Sequence, residues 1–198
     1  MTGNRWLQMI EENPGHSDWY IERFRSMAAE GADLHGEARF VDVRVPGRRA
    51  PEGGVVGGVD LDPALIAAAE ADHPGPTWIA ADLSELDLAA RGVTAEFDVI
   101  VSAGNVMTFL DPATRRAVLT RLRAHLAPEG RLTVGFGAGR GYEFDDFFAD
   151  AAAAGLREEL RLATWDQRPA TPTSDFLVAV PVHSEADPAP QGSNPPPI

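Results

Sequence analysis

Apolar and polar positions along the chain switch repeatedly between a helical and a strand period. Tyr20, Phe24, Met27 and Ala28 recur at helical spacing behind Ser17 and Asp18, two residue types that cap helices, and Gly31 is placed to stop the run. Gly36 to Val45 fits two patterns. Val41, Val43 and Val45 alternate as in a strand, whereas Ala38, Val41 and Val45 share a helical face. Val55 to Asp60 reads as a short strand ending in an acid. Asp62-Pro63 then opens a helix through Leu65, Ile66 and Ala69, with the acid as cap and the proline in the first turn. Trp78 to Asp82 reads as a second strand ending in an acid, and Phe97 to Ala103 as a buried one. Asp111-Pro112 starts a helix with Val118, Leu119, Leu122 and Leu126 inward, which Pro128-Glu129-Gly130 ends. Arg131 to Phe136, Leu156 to Trp165 and Asp175 to Val180 follow as strands, with a helix over Phe144 to Ala154.

Helices alternating with apolar strands predict an α/β fold with helices on both faces of a mostly parallel sheet. Such sheets bind ligands at the carboxyl ends of their strands, so the residues just past each strand are the first candidates. The chain divides into an N-terminal segment 1–17, a domain over 18–182 and a tail over 183–198. From Pro181 onward six of the 18 residues are proline, which predicts disorder.

Composition removes several chemistries. The 198 residues include no Cys, and all 17 basic residues are Arg. There is thus no thiolate nucleophile, no Cys-ligated metal, no lysine Schiff base and no P-loop lysine. The formal net charge of −13 argues against nucleic acid as the partner. His16, His35, His73, His125 and His183 are scattered without metal-ligand spacing, so no metal is expected. No apolar run is long enough to span a bilayer, and Met1 to Glu12 lacks a signal-peptide pattern, so a soluble cytoplasmic protein is expected. A hydrolase lacks its G-x-S-x-G elbow. A nicotinamide-dependent dehydrogenase lacks both its G-x-G-x-x-G turn and any Tyr-x-x-x-Lys pair.

At the strand ends, Asp60 is placed to take both hydroxyls of a ribose; the plainer reading is a loop acid. Asp62 is explained as a helix cap. Asp82 can accept from an exocyclic amine while Leu83 covers a purine face, or it can cap the turn from Ser84 to Leu88. Gly104 admits a ligand close to the backbone and Asn105 offers a donor and an acceptor; a tight turn above core residues Met107, Phe109 and Leu110 is the alternative. Gly135 to Tyr142 is glycine-rich without phosphate-loop spacing. It is read as the wall of a pocket, with Arg140 and Tyr142 as substrate contacts, or as a structural loop.

In order and spacing, VVGGVDLDP (55–63), WIAADLSEL (78–86), FDVIVSAGNVMTFL (97–110) and GRLTVGFGAGRGY (130–142) resemble the post-strand motifs of class I S-adenosylmethionine (SAM)-dependent methyltransferases, over roughly Ser17 to Val180. The opening 16–39 and TWDQRP (164–169) resemble the small bacterial enzymes that act on small molecules. The resemblance implies a Rossmann-like fold, SAM as cofactor and methyl transfer to a small-molecule acceptor. It implies that Asp60 and Leu61 lie at the ribose, that Asp82 and Leu83 flank the adenine, and that Ala103, Gly104 and Asn105 line the cofactor near its methyl. Tyr20, Phe24 and Arg39 would close the lid and reach the methionine end, with Arg140, Tyr142 and Trp165 on the substrate side. A methyltransferase fold kept as a non-catalytic binding or interaction module is the alternative.

The sequence departs from that family at its opening. The Gly-x-Gly turn after a first strand is missing from FVDVRVPGRRAPEGGVVGGVD (40–60). Residues 46–54 are shorter than the dozen or so a parallel crossover needs, and their prolines and glycines oppose a helix. The first strand–helix unit is therefore expected to be shortened or absent. Residues 40–45 would substitute for the strand, or the sheet would close the gap, or the fold would suffer. Gly53-Gly54 and Gly57-Gly58 would be the remaining backbone donors.

Overall fold

The computed structural model describes residues 3–44 and 56–184. The shortened crossover 46–54, its Gly53-Gly54 pair and the tail beyond Ser184 lie outside the described residues. Helix α1 (Arg5–Glu12), to which the sequence pattern gave no element, is capped by Asn4, whose side chain accepts from the Trp6 and Leu7 amides. In α2 (His16–Ala29) the cap is Gly15, and Ser17 and Asp18 fall inside the first turn. Ser17 is buried because its hydroxyl is spent on the Asp62 carboxylate. The ambiguous stretch is helix α3 (Gly36–Arg44), so residues 40–44 do not substitute for a strand. Phe40 decides it: 1% exposed, it packs on Leu162, Val178 and Val180 and meets the Trp165 ring edge-on.

The remaining elements are β1 (Gly57–Asp60), α4 (Pro63–Asp72), β2 (Thr77–Ala80), β3 (Phe97–Ser102), α5 (Val106–Phe109), α6 (Arg115–Ala124), β4 (Leu126–Gly137), α7 (Phe144–Ala153), β5 (Leu156–Leu162) and β6 (Phe176–His183). Asp62 caps α4 as its position implied, accepting from the Ala64 amide. Two strands are longer than the sequence suggested. Leu126 pairs with Phe97 and Arg131 with Val99, so β4 begins before the Pro128-Glu129-Gly130 stretch, which bulges out. β6 continues through Pro181 to His183, which moves the start of the tail. Pro181 falls beside an irregularity in the β5 ladder, where its missing N–H is tolerated.

Strands order as β3-β4-β6-β5, with β3 and β4 parallel and β6 antiparallel to both neighbours. Alternation along β6 separates two faces. Leu177 and Ala179 join a core with Val118, Leu119, Leu122 and Phe147 of α6 and α7, while Val178 and Val180 meet Phe40 of α3. Helices thus cover both faces, as the α/β reading required. Leu132, Val134 and Phe136 of β4 are wholly buried.

β1 and β2 form a separate parallel pair, and among the described residues they bond to no other strand. Between β1 and β3 lies a cavity of about 310 Å³ bordered by Val59, Ile79, Val99, Val101 and Ala103. Among the described residues the sheet does not close across this gap. The β1–α4–β2 unit is thinly packed: no residue of α4 is buried, and neither β1 nor β2 has a buried position. Native-state hydrogen exchange should therefore find the β1 and β2 amides exchanging about a hundredfold faster than those of β4 and β6, because local opening follows buried contact density. Equal protection in the two sheets would show that they open as one unit.

Candidate functional site

Asp60 stands at the carboxyl end of β1. The Asp62 amide donates to its Oδ1 at 2.8 Å, and the Leu61 amide also bonds the carboxylate. Partial burial is the main cause that lifts its pKa above the ordinary carboxylate range; the Asp62 charge adds to this and the two amides oppose it. Among the described residues no cation acts on it. A half-buried acid in this state gains from any ligand that brings hydroxyl donors.

Asp82 follows β2. Its Oδ1 accepts from the Ser84 amide at 2.7 Å, so it caps the short turn over residues 83–85, and it remains exposed. After β3, Gly104 and Asn105 adopt φ of 66° and 65°, two successive left-handed residues that turn the chain sharply into α5. A Cβ on Gly104 would lie 3.9 Å from the Tyr20 hydroxyl. Burial, then the charge of Asp60, pushes the Tyr20 pKa up, which keeps that hydroxyl protonated.

These strand ends converge. A cavity of about 110 Å³ is lined by Asp60, Leu61, Asp82, Leu83 and Gly104 from the strand-end loops, and by Trp6 and Tyr20 from the N-terminal helices. Trp6 escaped the sequence reading. It meets Tyr20 edge-on at 5.2 Å and Phe109 at 5.8 Å, and its indole N–H donates to Asp62. The signal was present in the Asn4 cap and in the apolar positions Trp6, Met9 and Ile10 at helical spacing.

Other predicted residues are placed elsewhere. Ala103 lines the neighbouring cavity between the sheets. The Asn105 Oδ1 accepts from the Gly137 amide at 2.8 Å, tying the ends of β3 and β4 together. Phe24 is 39% exposed and its ring lies tilted beside Tyr20, in an open groove that also borders Asp60. Arg39 is exposed and paired with Asp33. Arg140 is exposed with its side chain over Gly137, and its carbonyl accepts from Arg5.

One substrate expectation, Tyr142, is corrected, and Trp165 packs on the sheet away from the cavity. Tyr142 is a core residue, 1% exposed; its hydroxyl donates to Asp150 at 2.8 Å and the Arg115 guanidinium covers its ring. Burial and the Asp150 contact push its pKa far up. Trp165 lies against Gly135, where any Cβ would collide with the indole, and meets Phe40 on the α3 face. The glycine of that run is there for the tryptophan. Among the described residues no group of His, Asp and Glu is arranged to hold a metal, and no helix is long and apolar enough to cross a membrane.

A methyltransferase-domain profile matches residues 41–132. Among solved structures, a TehB-like SAM-dependent methyltransferase from Corynebacterium glutamicum is 40% identical with a TM-score of 0.78, over 87% of this chain and 100% of that one. A SAM-dependent methyltransferase from Clostridium acetobutylicum (9% identity, TM-score 0.68, 84% and 98% covered) shares the fold. So does a SAM-bound amino pentose methyltransferase from Micromonospora echinaspora (18%, 0.56, 79% and 96%). No curated protein is significantly similar. Forty per cent identity across the whole length of a relative, on a fold whose strand ends gather an acid, an apolar cover and a glycine turn, places the chain: it belongs to the SAM-dependent methyltransferases.

Proposed function

We propose that the protein transfers a methyl group from SAM to a small-molecule acceptor, and that the cavity between the strand ends and the N-terminal helices receives the nucleoside half of the cofactor. The observation that carries this reading is the half-buried Asp60 carboxylate, which has no cation beside it among the described residues and lines a cavity shared with Asp82, Leu83 and Gly104. These residues fit that half of SAM. Asp60 would accept from the ribose hydroxyls, Asp82 from the adenine amine, and Leu83 would cover the ring. When bound, SAM supplies a methyl on a sulfonium for in-line transfer to a nucleophilic oxygen, nitrogen or carbon. The chain's own part is to hold and orient, which lowers the barrier by fixing the reacting geometry. Gly104 leaves the backbone open there and Tyr20 walls the opposite side. Phe24, beside Tyr20 at the rim, is our candidate for the acceptor side.

A second reading, a binding module that has kept the fold without turnover, draws on the split sheet and on the cavity size. At about 110 Å³ the cavity is smaller than the ~300–1,000 Å³ typical of ligand sites, so it encloses only part of a cofactor.

A thermal melt with and without the demethylated cofactor S-adenosylhomocysteine (SAH) tests the assignment. Ligand at a hundredfold over Kd adds about 2.7 kcal/mol, a rise of roughly 5–10 °C for a chain of this size. An unchanged melting temperature at millimolar SAH removes the assigned site. A shift accompanied by no methyl transfer to any of a panel of small amines, phenols and carboxylic acids supports the second reading.

A further inference from the structure

Helix α1 is tied to the loops that follow three different strands. The Gly3 amide, just before it, donates to Asp111 Oδ2 at 3.1 Å, beyond β3 and α5. Arg5 donates to the Arg140 carbonyl at 3.0 Å, beyond β4. The Trp6 indole N–H donates to Asp62 Oδ2 at 3.1 Å, beyond β1. The first two ties are at the surface or partly buried, and each involves one peptide group.

The third is different in kind. Asp62 is 4% exposed and fully engaged. Its Oδ1 accepts from the Ala64 amide at 2.8 Å to cap α4, and its Oδ2 accepts from both Trp6 and the Ser17 hydroxyl. Its own amide donates to Asp60 Oδ1 at 2.8 Å. One buried carboxylate therefore joins α1, α2 and α4, and the same residue holds an oxygen of the acid at the cavity. The Trp6 ring carries the connection onward by lining the cavity that Asp60 also lines, beside Tyr20 and Phe109.

We propose that Trp6 is a positioning residue for the cofactor site: its hydrogen bond to Asp62 fixes α1 as a wall of the cavity that Asp60 lines and holds the Asp62 amide on the Asp60 carboxylate, so that the site is preorganised by the N-terminal segment. The proposal rests on the reading of this cavity as the SAM site. Preorganised walls act on affinity because the ligand is spared the cost of ordering them. Breaking the Trp6–Asp62 bond should therefore weaken ligand binding out of proportion to its effect on the fold.

The test uses the full chain and SAH as the probe. Trp6→Phe keeps an aromatic ring at the wall and removes the N–H. Tyr142→Phe removes a part-buried side-chain hydrogen bond from a core residue that does not line the cavity, and serves as the control. Affinity is read by titration calorimetry and tryptophan emission by fluorescence. In Trp6→Phe, SAH affinity is expected to fall about tenfold, and the SAH-induced change in tryptophan emission should disappear. Tyr142→Phe should lose comparable melting temperature, yet keep the affinity of the parent and its emission change. Equal SAH affinity in Trp6→Phe and the parent overturns the proposal while leaving the site assignment standing. Affinity lost to the same extent in both variants also overturns it, since the loss would then follow stability. Failure of the parent itself to bind SAH overturns the site assignment, and the proposal with it.

Discussion

Asp60→Asn should cost the protein most of its affinity for SAH while leaving the unliganded fold as stable as before, or more so. The amide keeps an oxygen where the Asp62 amide donates, so that part of the local turn survives. It puts an NH₂ group where the second carboxylate oxygen stood, and two ribose hydroxyls then lose their charged acceptor. Hydrogen bonds to charged groups are worth about 1.5–3 kcal/mol, which corresponds to a Kd roughly ten- to a hundredfold higher. The stability side follows from linkage. Burial raises the pKa of Asp60 in the folded state above its unfolded value. The folded state therefore binds the proton more tightly, and stability falls as pH rises from the unfolded pKa through the folded one. Above that window the charge is a standing cost, which Asn removes. In the parent, SAH affinity should decline as pH drops through the raised pKa of Asp60, and in Asp60→Asn that step should vanish. Calorimetric titrations at several pH values check both statements, and an unaltered Kd in the variant would take Asp60 out of the site.

Phe136→Ala should be among the most damaging single changes to the fold. Phe136 is wholly buried in β4, stacks on Tyr142 at 5.7 Å and meets Phe144 and Phe147 edge-on at 5.5 Å each. Truncating a buried phenylalanine costs about 3–5 kcal/mol in transfer free energy and cavity formation. For a domain of this size that is a drop of roughly 10–15 °C in melting temperature. Trp19→Ala, at a ring 54% exposed on α2, should shift stability by less than about 0.5 kcal/mol. A Phe136→Ala variant that melts with the parent would mean that the aromatic cluster relaxes to fill the space.

Much of the fold was legible because its signals are local. The apolar run of β3, the Asp62-Pro63 cap of α4 and the helical period of α6 each depend on near neighbours in the chain; β3 and α4 stand where the pattern put them, while α6 starts one turn late and ends at Ala124, before Leu126, which opens β4 instead. Strand-end residues could be proposed as a set because an α/β sheet delivers its loops to one edge, and Asp60, Leu61, Asp82, Leu83, Gly104 and Tyr20 do line one cavity. Ambiguity remained where two periods fit the same residues. Over Gly36 to Arg44 the choice of helix was made by the burial of Phe40 on β5 and β6, residues more than a hundred positions away.

Residue roles were harder to read than elements. Tyr142 and Trp165 had the chemistry of substrate contacts, but a ring's role depends on which face of the sheet it meets. Tyr142 is enclosed by Phe136, Phe147 and Arg115, and Trp165 fills the space above Gly135. Trp6 lies in a segment set apart from the domain, and its partner Asp62 is distant in sequence, so no spacing rule connects them.

The sequence by itself determined the α/β class, the excluded chemistries and the acids and glycines at the strand ends, because composition and short-range periodicity act before any tertiary contact forms. Only the tertiary structure decided that β1 and β2 stand apart from the main sheet, that the N-terminal helix closes over their ends, and which aromatic rings face the cavity. Those outcomes depend on which surfaces, far apart in the chain, bury one another.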